Sequence, residues 1–492
     1  MKDATTEEIN IVMEEAWNAF LEYRKFSLKD RAAFMHSVAE EIAAITSELI
    51  SVANEETNLP EARIRNEITR TIFQLNSYAD ACQRGDWIEA RIDTENPDRN
   101  PPKPDLRKML IPLGPVVVFG AANFPFAYST AGGDTACAFA AGCSVIVKAH
   151  PGHARTSELV ADAIKNSVTK NKMPKGIFSH LHGAGNEVGE TLVKHPLVKA
   201  VGFTGSFLGG KQLFDWANQR KEPIPVFAEM SSINPVFLFP EKLNQSADEL
   251  AKLYSGSITL GVGQFCTNPG LIVGIDNEDL GAFMQVLSNE IKKTEPGKML
   301  HAGIYKNYVE RRATALSQTD VETIAVAEKQ ASLNEGSPTL ATATATAFIN
   351  NPVLHQEVFG PYSIVIRCKD VVEMKQVVDK LEGQLTASLM ATEKDIVENA
   401  ELVESIKNIC GRFILNGVPT GVEVCLSMHH GGPFPATTDS RFTSVGADGI
   451  KRFARPICYQ NWPDELLPDE LRDKNPLGIW RTVNNELTRK AI

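Results

Sequence analysis

The sequence predicts an α/β protein of two linked domains, each a mostly parallel sheet wound with helices. Three observations carry this expectation. Short runs that are apolar on both faces alternate with helical segments, the pattern of buried parallel strands joined by crossover helices. The 492 residues exceed what one small core organises, so two or three domains are expected. Apolar content of 43% and charged content of 23% are those of an ordinary globular chain.

The elements follow in order. Residues 5–83 carry helical periodicity with charged faces, as in "TEEINIVMEEAWNAFLEY" and "LKDRAAFMHSVAEEIAAITSELISVA". The stretch "IDTENPDRNPPKPDLRKMLIP" is too rich in proline to be helical throughout and is expected to be extended. From 115 onward "PVVVFG" (115–120), "CSVIVKA" (143–149), "VKAVGFTG" (198–205) and "IPVFAEM" (224–230) read as strands. Between them "STAGGDTACAFAAG", "RTSELVADAIKNSV" and "GNEVGETLVKH" read as helices. A second series starts near 234, with strands expected at "NPVFLF", "GLIVG", "GPYSIVIR", "TASLMAT" and "GRFILNG". Its helices are "ADELAKLYSGSITLG", "DLGAFMQVLSNEIKK" and "VVEMKQVVDKLEG". The alternation "ATATATA" at 341–347 reads as an exposed strand. The cleft between two such domains is the default site.

Composition removes several function classes. A net charge of −11 with no basic run argues against nucleic acid as a partner. No stretch reaches the roughly eighteen uninterrupted apolar residues of a membrane span. The acidic, polar start "MKDATTEEIN" is unlike a secretory leader, so a cytoplasmic protein is expected. The eight cysteines, Cys82, Cys137, Cys143, Cys266, Cys368, Cys410, Cys425 and Cys458, include no C-x-x-C pair, so no metal site is expected. Most should be free and inert in a reducing cytosol.

Cys266 is set apart by its context, "GVGQFCTNPG", a turn with glycines before and after it that follows an apolar helical stretch. It is either a displayed nucleophile or one more core thiol. Two glycine turns bear on nucleotide binding. "HGAGNEVGE" offers Gly183, Gly185 and Gly189 with a spacing that departs from the dinucleotide fingerprint, and reads as a structural turn. "GFTGSFLGG" orders strand, Gly205, Ser206 and helix, and N–H groups at such a helix start can receive a phosphate.

Single polar residues sit at the ends of apolar strands. Lys148 ends "SVIVK", Glu229 ends "PVFAE", and Asn123 lies in "GAANFPFA". Taken singly they read as a capping lysine, a salt-bridged glutamate and a turn asparagine. Together with Cys266 they supply a reaction. A thiolate attacks an aldehyde, and an Asn amide steadies the oxyanion. A nicotinamide takes the hydride, and a carboxylate activates the water that releases the acid.

These residues resemble the aldehyde dehydrogenase superfamily over essentially the whole chain. The motifs occur in order: "NFP" with Asn123, "VIVK" with Lys148, "FTGS", "AEM" with Glu229, "GQFCT" with Cys266, and "EVFGP". The resemblance implies the aldehyde dehydrogenase fold. A Rossmann-like cofactor domain would take 1–85 and 111–230 with part of 431–468, and an α/β catalytic domain 231–430. A small β extension for oligomerisation would take 86–110 and 469–492. It implies Cys266 as nucleophile, Asn123 with the Cys266 N–H as oxyanion hole, and Glu229 as general base. Lys148 would hold the adenosine ribose, Gly205 and Ser206 the pyrophosphate, and Glu357 the nicotinamide ribose, with Phe359 beside the ring. A homodimer or a tetramer of dimers is implied as well.

Two departures stand out. The family glutamate is usually followed by Leu-Gly-Gly, and here the run is "EMSSINP". NAD-preferring members often carry a glutamate where this chain has Pro151, so NADP is the expected cofactor and NAD the alternative. Within the superfamily the likeness is greatest to members that oxidise 2-oxoglutarate semialdehyde (2,5-dioxopentanoate) and to NADP-dependent members. It is carried by "NFPFAYSTAGGDTACAFAAGCSVIVKAHP", "PTGVEVC", "HGGPFPATTDSRFTSVG" and "RFARPICYQNWP". The "PTGVEV" loop (419–424) is expected at the substrate entrance. Arg155 and Arg441 are the candidates for a substrate carboxylate, although Arg441 reads better as a brace of its own loop. A broad medium-chain or aromatic aldehyde dehydrogenase is the alternative, and a coenzyme A-acylating enzyme would leave Glu229 idle. A non-catalytic binding or structural protein on this fold would be expected to have lost Cys266 or Glu229.

Overall fold

The computed structural model describes residues 2–492. Its first sheet is parallel throughout, in the order Phe178–Leu181, Val145–Lys148, Val116–Phe119, Ala200–Thr204, Val226–Glu229. The central Val116–Phe119 strand is buried at every residue, as its unbroken apolar run requires. The edge strand Phe178–Leu181 was not foreseen, because "FSHL" carries a serine and a histidine that only an edge tolerates easily. Helices Thr6–Tyr23, Leu28–Ala44, Thr46–Thr57 and Glu61–Arg84 precede this sheet. Their apolar faces share one core with the small-residue helix Gly133–Ala141, where Tyr23, Phe34 and Tyr78 meet Phe139 and Val116.

The second sheet has seven strands in the order Val321–Val326, Thr339–Thr344, Tyr362–Cys368, Leu271–Ile275, Val236–Leu238, Gln384–Met390, Cys410–Leu415. Only the first pair is antiparallel. The threonine–alanine run is the main correction here. Thr339–Thr344 is an interior strand, buried at all but its last residue. Its hydroxyls find acceptors in place, Thr342 on the Val365 carbonyl at 2.9 Å and Thr339 on that of Ser337 at 3.0 Å, which makes burial affordable.

A third sheet runs Ala454–Gln460, Leu106–Pro112, Arg91–Asp93, Arg481–Val483, Glu486–Thr488. The Ala454–Gln460 strand lies within the 431–468 stretch, part of which is expected in the cofactor domain, and it pairs antiparallel with Leu106–Pro112 along its whole length. Among the described residues no helix is long and apolar enough to cross a membrane.

The two parallel sheets direct the chain toward one region. Val226–Glu229 delivers Glu229 at its C-terminal end, where the Gly205 N–H donates to the Glu229 carbonyl at 3.1 Å. The next N–H, of Met230, donates to Ala436 at 2.8 Å, so the 430–446 segment closes over the strand end. C-terminal ends of parallel strands are where α/β sheets hold ligands.

Candidate active site

Cys266 follows the long helix Pro240–Thr259 and a tight turn at Leu260–Gly263. Gly261, Val262 and Gly263 all take left-handed backbone angles, at φ 54, 58 and 64. A β-branched valine there is strained, a cost that functional turns commonly carry. Gly263 cannot be replaced, because an added Cβ would lie 2.3 Å from the Gly360 backbone. The turn is also held from below. Buried Asn234 donates to the carbonyls of Cys266 at 2.8 Å and Asn268 at 2.9 Å.

The thiol has two close neighbours. His430 Nε2 lies 3.5 Å from Cys266 Sγ and 3.2 Å from Glu229 Oε1. One atom from each of Cys266, Glu229 and His430 falls within a 4.8 Å group. Ser444 donates to the other Glu229 oxygen at 2.9 Å, and the His430 N–H donates to Thr443 Oγ1 at 2.9 Å. An ionised carboxylate only accepts, so the imidazole proton sits on Nε2 whenever it bonds Glu229. His430 was inside a quoted motif but not singled out. A histidine between another histidine and two glycines carries no periodic or spacing signal, and only the fold brings it to Cys266.

Burial alone would raise the Glu229 carboxyl, but the His430 and Ser444 contacts outweigh it and leave the group below the ordinary carboxylate range. Burial pushes the Cys266 thiol well up, and the charges of Glu229 and Glu357 add to it, while Arg412 works the other way. At neutral pH Glu229 is therefore ionised beside a thiol that is still protonated.

Asn123 donates through Nδ2 to the Gln264 carbonyl at 3.1 Å. This fixes the amide beside Cys266 and leaves its second hydrogen unused. The Cys266 N–H has no acceptor among the described residues. Two donors near Cys266, the second Asn123 N–H and the Cys266 N–H, are thus left without acceptors among the described residues. Asn123 is carried by the 123–128 segment, whose Phe126 and Ala127 N–H groups donate to buried Glu67 at 2.9 and 3.0 Å.

Asn123, Gly205, Ser206, Cys266, Glu357 and Phe359 line a common cavity of about 430 Å³. A contiguous one of about 600 Å³ shares Ser206, Glu357 and Phe359 and adds Phe207 and Leu208. Ser206 caps the helix Phe207–Asn218 by accepting from Gly209 at 3.2 Å, and the Phe207 and Leu208 N–H groups have no acceptors among the described residues. Free N–H groups at a helix start that faces a cavity suit a pyrophosphate. Lys148 ends its strand without an ion pair, its pKa lowered by burial, and lies beside the cavity, not in its lining. These features fit a nicotinamide dinucleotide.

The departure at "EMSSINP" gains a physical meaning. Ser231, where the family has glycine, donates to Glu357 Oε2 at 2.7 Å. Ser232 bonds Asn234 and Gln384 at 3.0 Å and so ties the strand end to the second sheet. The two arginine candidates lie elsewhere. Arg155 is exposed and paired with Glu55, and Arg441 is exposed and doubly bonded to Asp439, the brace its context suggested.

An aldehyde dehydrogenase family model matches residues 1–433. The chain is 48% identical over 479 residues to alpha-ketoglutaric semialdehyde dehydrogenase 2 of Azospirillum brasilense, covering 97% of this chain and 91% of that protein. It is 46% identical over 488 residues to alpha-ketoglutaric semialdehyde dehydrogenase of Acinetobacter baylyi, covering 99% and 92%. Among solved structures, a 1-pyrroline-5-carboxylate dehydrogenase superposes with a TM-score of 0.79 at 20% identity, covering 93% and 86% of the two chains. Betaine aldehyde dehydrogenase of Staphylococcus aureus, in complex with NAD+, gives 0.79 at 18% identity, covering 94% and 91%. Fold and site together define an oxidoreductase that acts on aldehydes with NAD(P). The chain belongs to the aldehyde dehydrogenase family.

Proposed function

We propose that this protein oxidises 2-oxoglutarate semialdehyde to 2-oxoglutarate with NADP, through a thioester on Cys266. The observation that carries the chemistry is the convergence of Cys266, Glu229 and His430 within 4.8 Å beside Asn123 and an unbonded Cys266 N–H. The relatives named alpha-ketoglutaric semialdehyde dehydrogenases, at 46% and 48% identity, support the substrate.

Glu229 takes the thiol proton, and Cys266 adds to the aldehyde carbon. The new oxyanion is held by Asn123 Nδ2 and the Cys266 N–H, both fixed beforehand, so little reorganisation is needed. A bound nicotinamide would supply the hydride acceptor. Glu229 gives the thiol proton up to solvent and, as carboxylate, draws a proton from the water that attacks the thioester. That attack releases the acid and the Cys266 sulfur, while His430 and Ser444 hold the two Glu229 oxygens. Lys148, Gly205, Ser206, Glu357 and Phe359 would bind the dinucleotide. Pro151 leaves no carboxylate to repel a 2′-phosphate, and Lys148 lacks the anion such a phosphate would supply.

The test is reduction of NADP and of NAD by the purified protein with 2-oxoglutarate semialdehyde, beside pentanal and benzaldehyde. A kcat/KM for the semialdehyde far above the others, with NADP preferred, is expected. Phe124 packs edge-to-face on Tyr128 and on Phe265, with centroids 5.1 and 5.6 Å apart, and this aromatic cluster favours the second reading, a broad medium-chain or aromatic aldehyde dehydrogenase. Equal rates across the panel would establish it.

Burial pushes the Glu357 carboxyl up to about 7, only partly offset by Ser231. As a ribose ligand it must be ionised to accept hydroxyl hydrogens, so protonation opposes binding. NADP affinity is expected to rise as pH climbs through about 7, and the dependence should flatten in Glu357→Gln. A pH-independent Kd in the unmodified protein would refute this role.

The third sheet ends on Glu486–Thr488 with Leu487 and Trp480 exposed, which supports a homodimer or a tetramer of dimers. Sedimentation as a monomer at working concentration would reject it. All eight cysteines are unpaired, which suits a reducing cytoplasm.

A further inference from the structure

We infer that Arg70 and Arg412 form the subsite that receives the substrate's carboxylate, on the side of Cys266 away from the cofactor. This rests on the semialdehyde reading above. The two arginines come from distant elements, the helix Glu61–Arg84 and the strand Cys410–Leu415. They grip one loop between them. Arg70 donates through Nη1 to the Val422 carbonyl, and Arg412 donates to Pro419 and, at 2.7 Å, to Gly421. This is the "PTGVEV" loop expected at the substrate entrance.

Both keep a buried donor in reserve. Arg70 Nη2 and Arg412 Nε are buried without an acceptor. Neither arginine has a carboxylate within ion-pair distance among the described residues. By contrast, Arg63 is paired with Glu67, and Arg441 with Asp439. A buried guanidinium N–H without an acceptor is costly, and an anion that arrives with the ligand is one way to satisfy it. Planar guanidinium groups match a carboxylate with two parallel hydrogen bonds, a geometry that lysine cannot copy.

Position ties this pair to the reaction. The charge of Arg412 acts on the Cys266 thiol, and both arginines act on the Tyr128 hydroxyl. Tyr128 in turn packs its ring 6.2 Å from that of His430. Neither arginine lines the cavity that Gly205, Ser206 and Glu357 share with Cys266. An aldehyde reaching Cys266 from the arginine side would place its far end among Arg70, Arg412 and Tyr128. The carboxylate of a five-carbon semialdehyde is that far end. The three loop carbonyl contacts also mean that substrate and loop share the same guanidinium groups, so binding would brace the entrance.

The experiment compares the unmodified protein with Arg70→Gln, Arg70→Lys and Arg412→Gln. The first readout is the ratio of kcat/KM for 2-oxoglutarate semialdehyde to that for pentanal. The second needs no turnover: protection of Cys266 by 2-oxoglutarate against iodoacetamide in the absence of dinucleotide, followed on the Cys266 peptide by mass spectrometry. Each Gln variant is expected to lower the ratio by at least about tenfold and to abolish protection, with Arg70→Lys intermediate. A ratio and protection unchanged in both Gln variants would overturn the subsite. So would an equal loss on both aldehydes with protection intact, the mark of a structural role. If the unmodified protein itself shows no preference for the semialdehyde over pentanal, the substrate reading falls instead.

Discussion

Cys266→Ser is expected to lower kcat/KM for aldehyde oxidation on the order of 10⁴-fold or more, with dinucleotide binding retained. A serine hydroxyl fits the same turn, and nothing in the backbone at 261–268 depends on the sulfur. The Asn234 and Asn123 contacts run to main-chain carbonyls and survive the change. What is lost is the nucleophile, since an alkoxide at neutral pH is far less accessible than a thiolate. Residual activity within tenfold of the unmodified enzyme would place the chemistry elsewhere.

The ionisation of Cys266 gives the same prediction a second readout. Burial, Glu229 and Glu357 all hold the thiol protonated, so its alkylation in the absence of dinucleotide should be slow at pH 7. The thiolate fraction below the pKa grows tenfold per pH unit, and the rate should follow it through pH 9. Glu229→Gln removes one of the raising charges and should speed alkylation at a fixed pH. Cys425 and Cys458 are exposed, so the rate must be read on the Cys266 peptide alone. A fast, pH-independent reaction would show that the thiolate already dominates.

Much of this site was legible from the chain because its residues sit where local rules are strict. Glu229 and Lys148 interrupt apolar strands at their ends, and Ser206 stands at a strand-to-helix junction, so each is visible against its neighbours. Cys266 lies in a glycine turn whose left-handed angles at Gly261 and Gly263 explain the glycines. His430, Arg70 and Arg412 were invisible for the opposite reason. Arg70 is one cation among several on the amphipathic helix Glu61–Arg84, where its neighbours Arg63 and Arg65 form ordinary i,i+4 pairs. Only its bond to Val422, 352 residues later, sets Arg70 apart from them. The same holds for the strand at 339–344. Its threonines looked like an exposed face until Val365 and Ser337 supplied buried acceptors. Local pattern reports what a residue can be, and long-range acceptors decide what it is.

Glu229→Gln divides the proposed reaction into its halves. The amide keeps the size of the carboxylate, and both Ser444 and His430 can still reach it, so the fold should tolerate the change. It cannot draw a proton from water. General-base assistance of this kind is worth about 10²–10⁴-fold, and the steady-state rate should fall by that much. The first turnover should persist, because without the carboxylate the imidazole proton can sit on Nδ1, which leaves Nε2, 3.5 Å from the sulfur, to take the thiol proton. Rapid mixing is therefore expected to show a burst of reduced dinucleotide approaching one equivalent per Cys266, followed by slow turnover as thioester accumulates. His430→Asn separates the partner from the base. The His430 contacts help to hold Glu229 below its ordinary range against burial, so their loss raises that carboxyl. The base form then disappears at a higher pH, and the acidic limb of the kcat profile should move up. A steady-state rate in Glu229→Gln within a few-fold of the unmodified enzyme would remove Glu229 from deacylation. An acidic limb unmoved in His430→Asn would show that the 3.2 Å contact does not tune it.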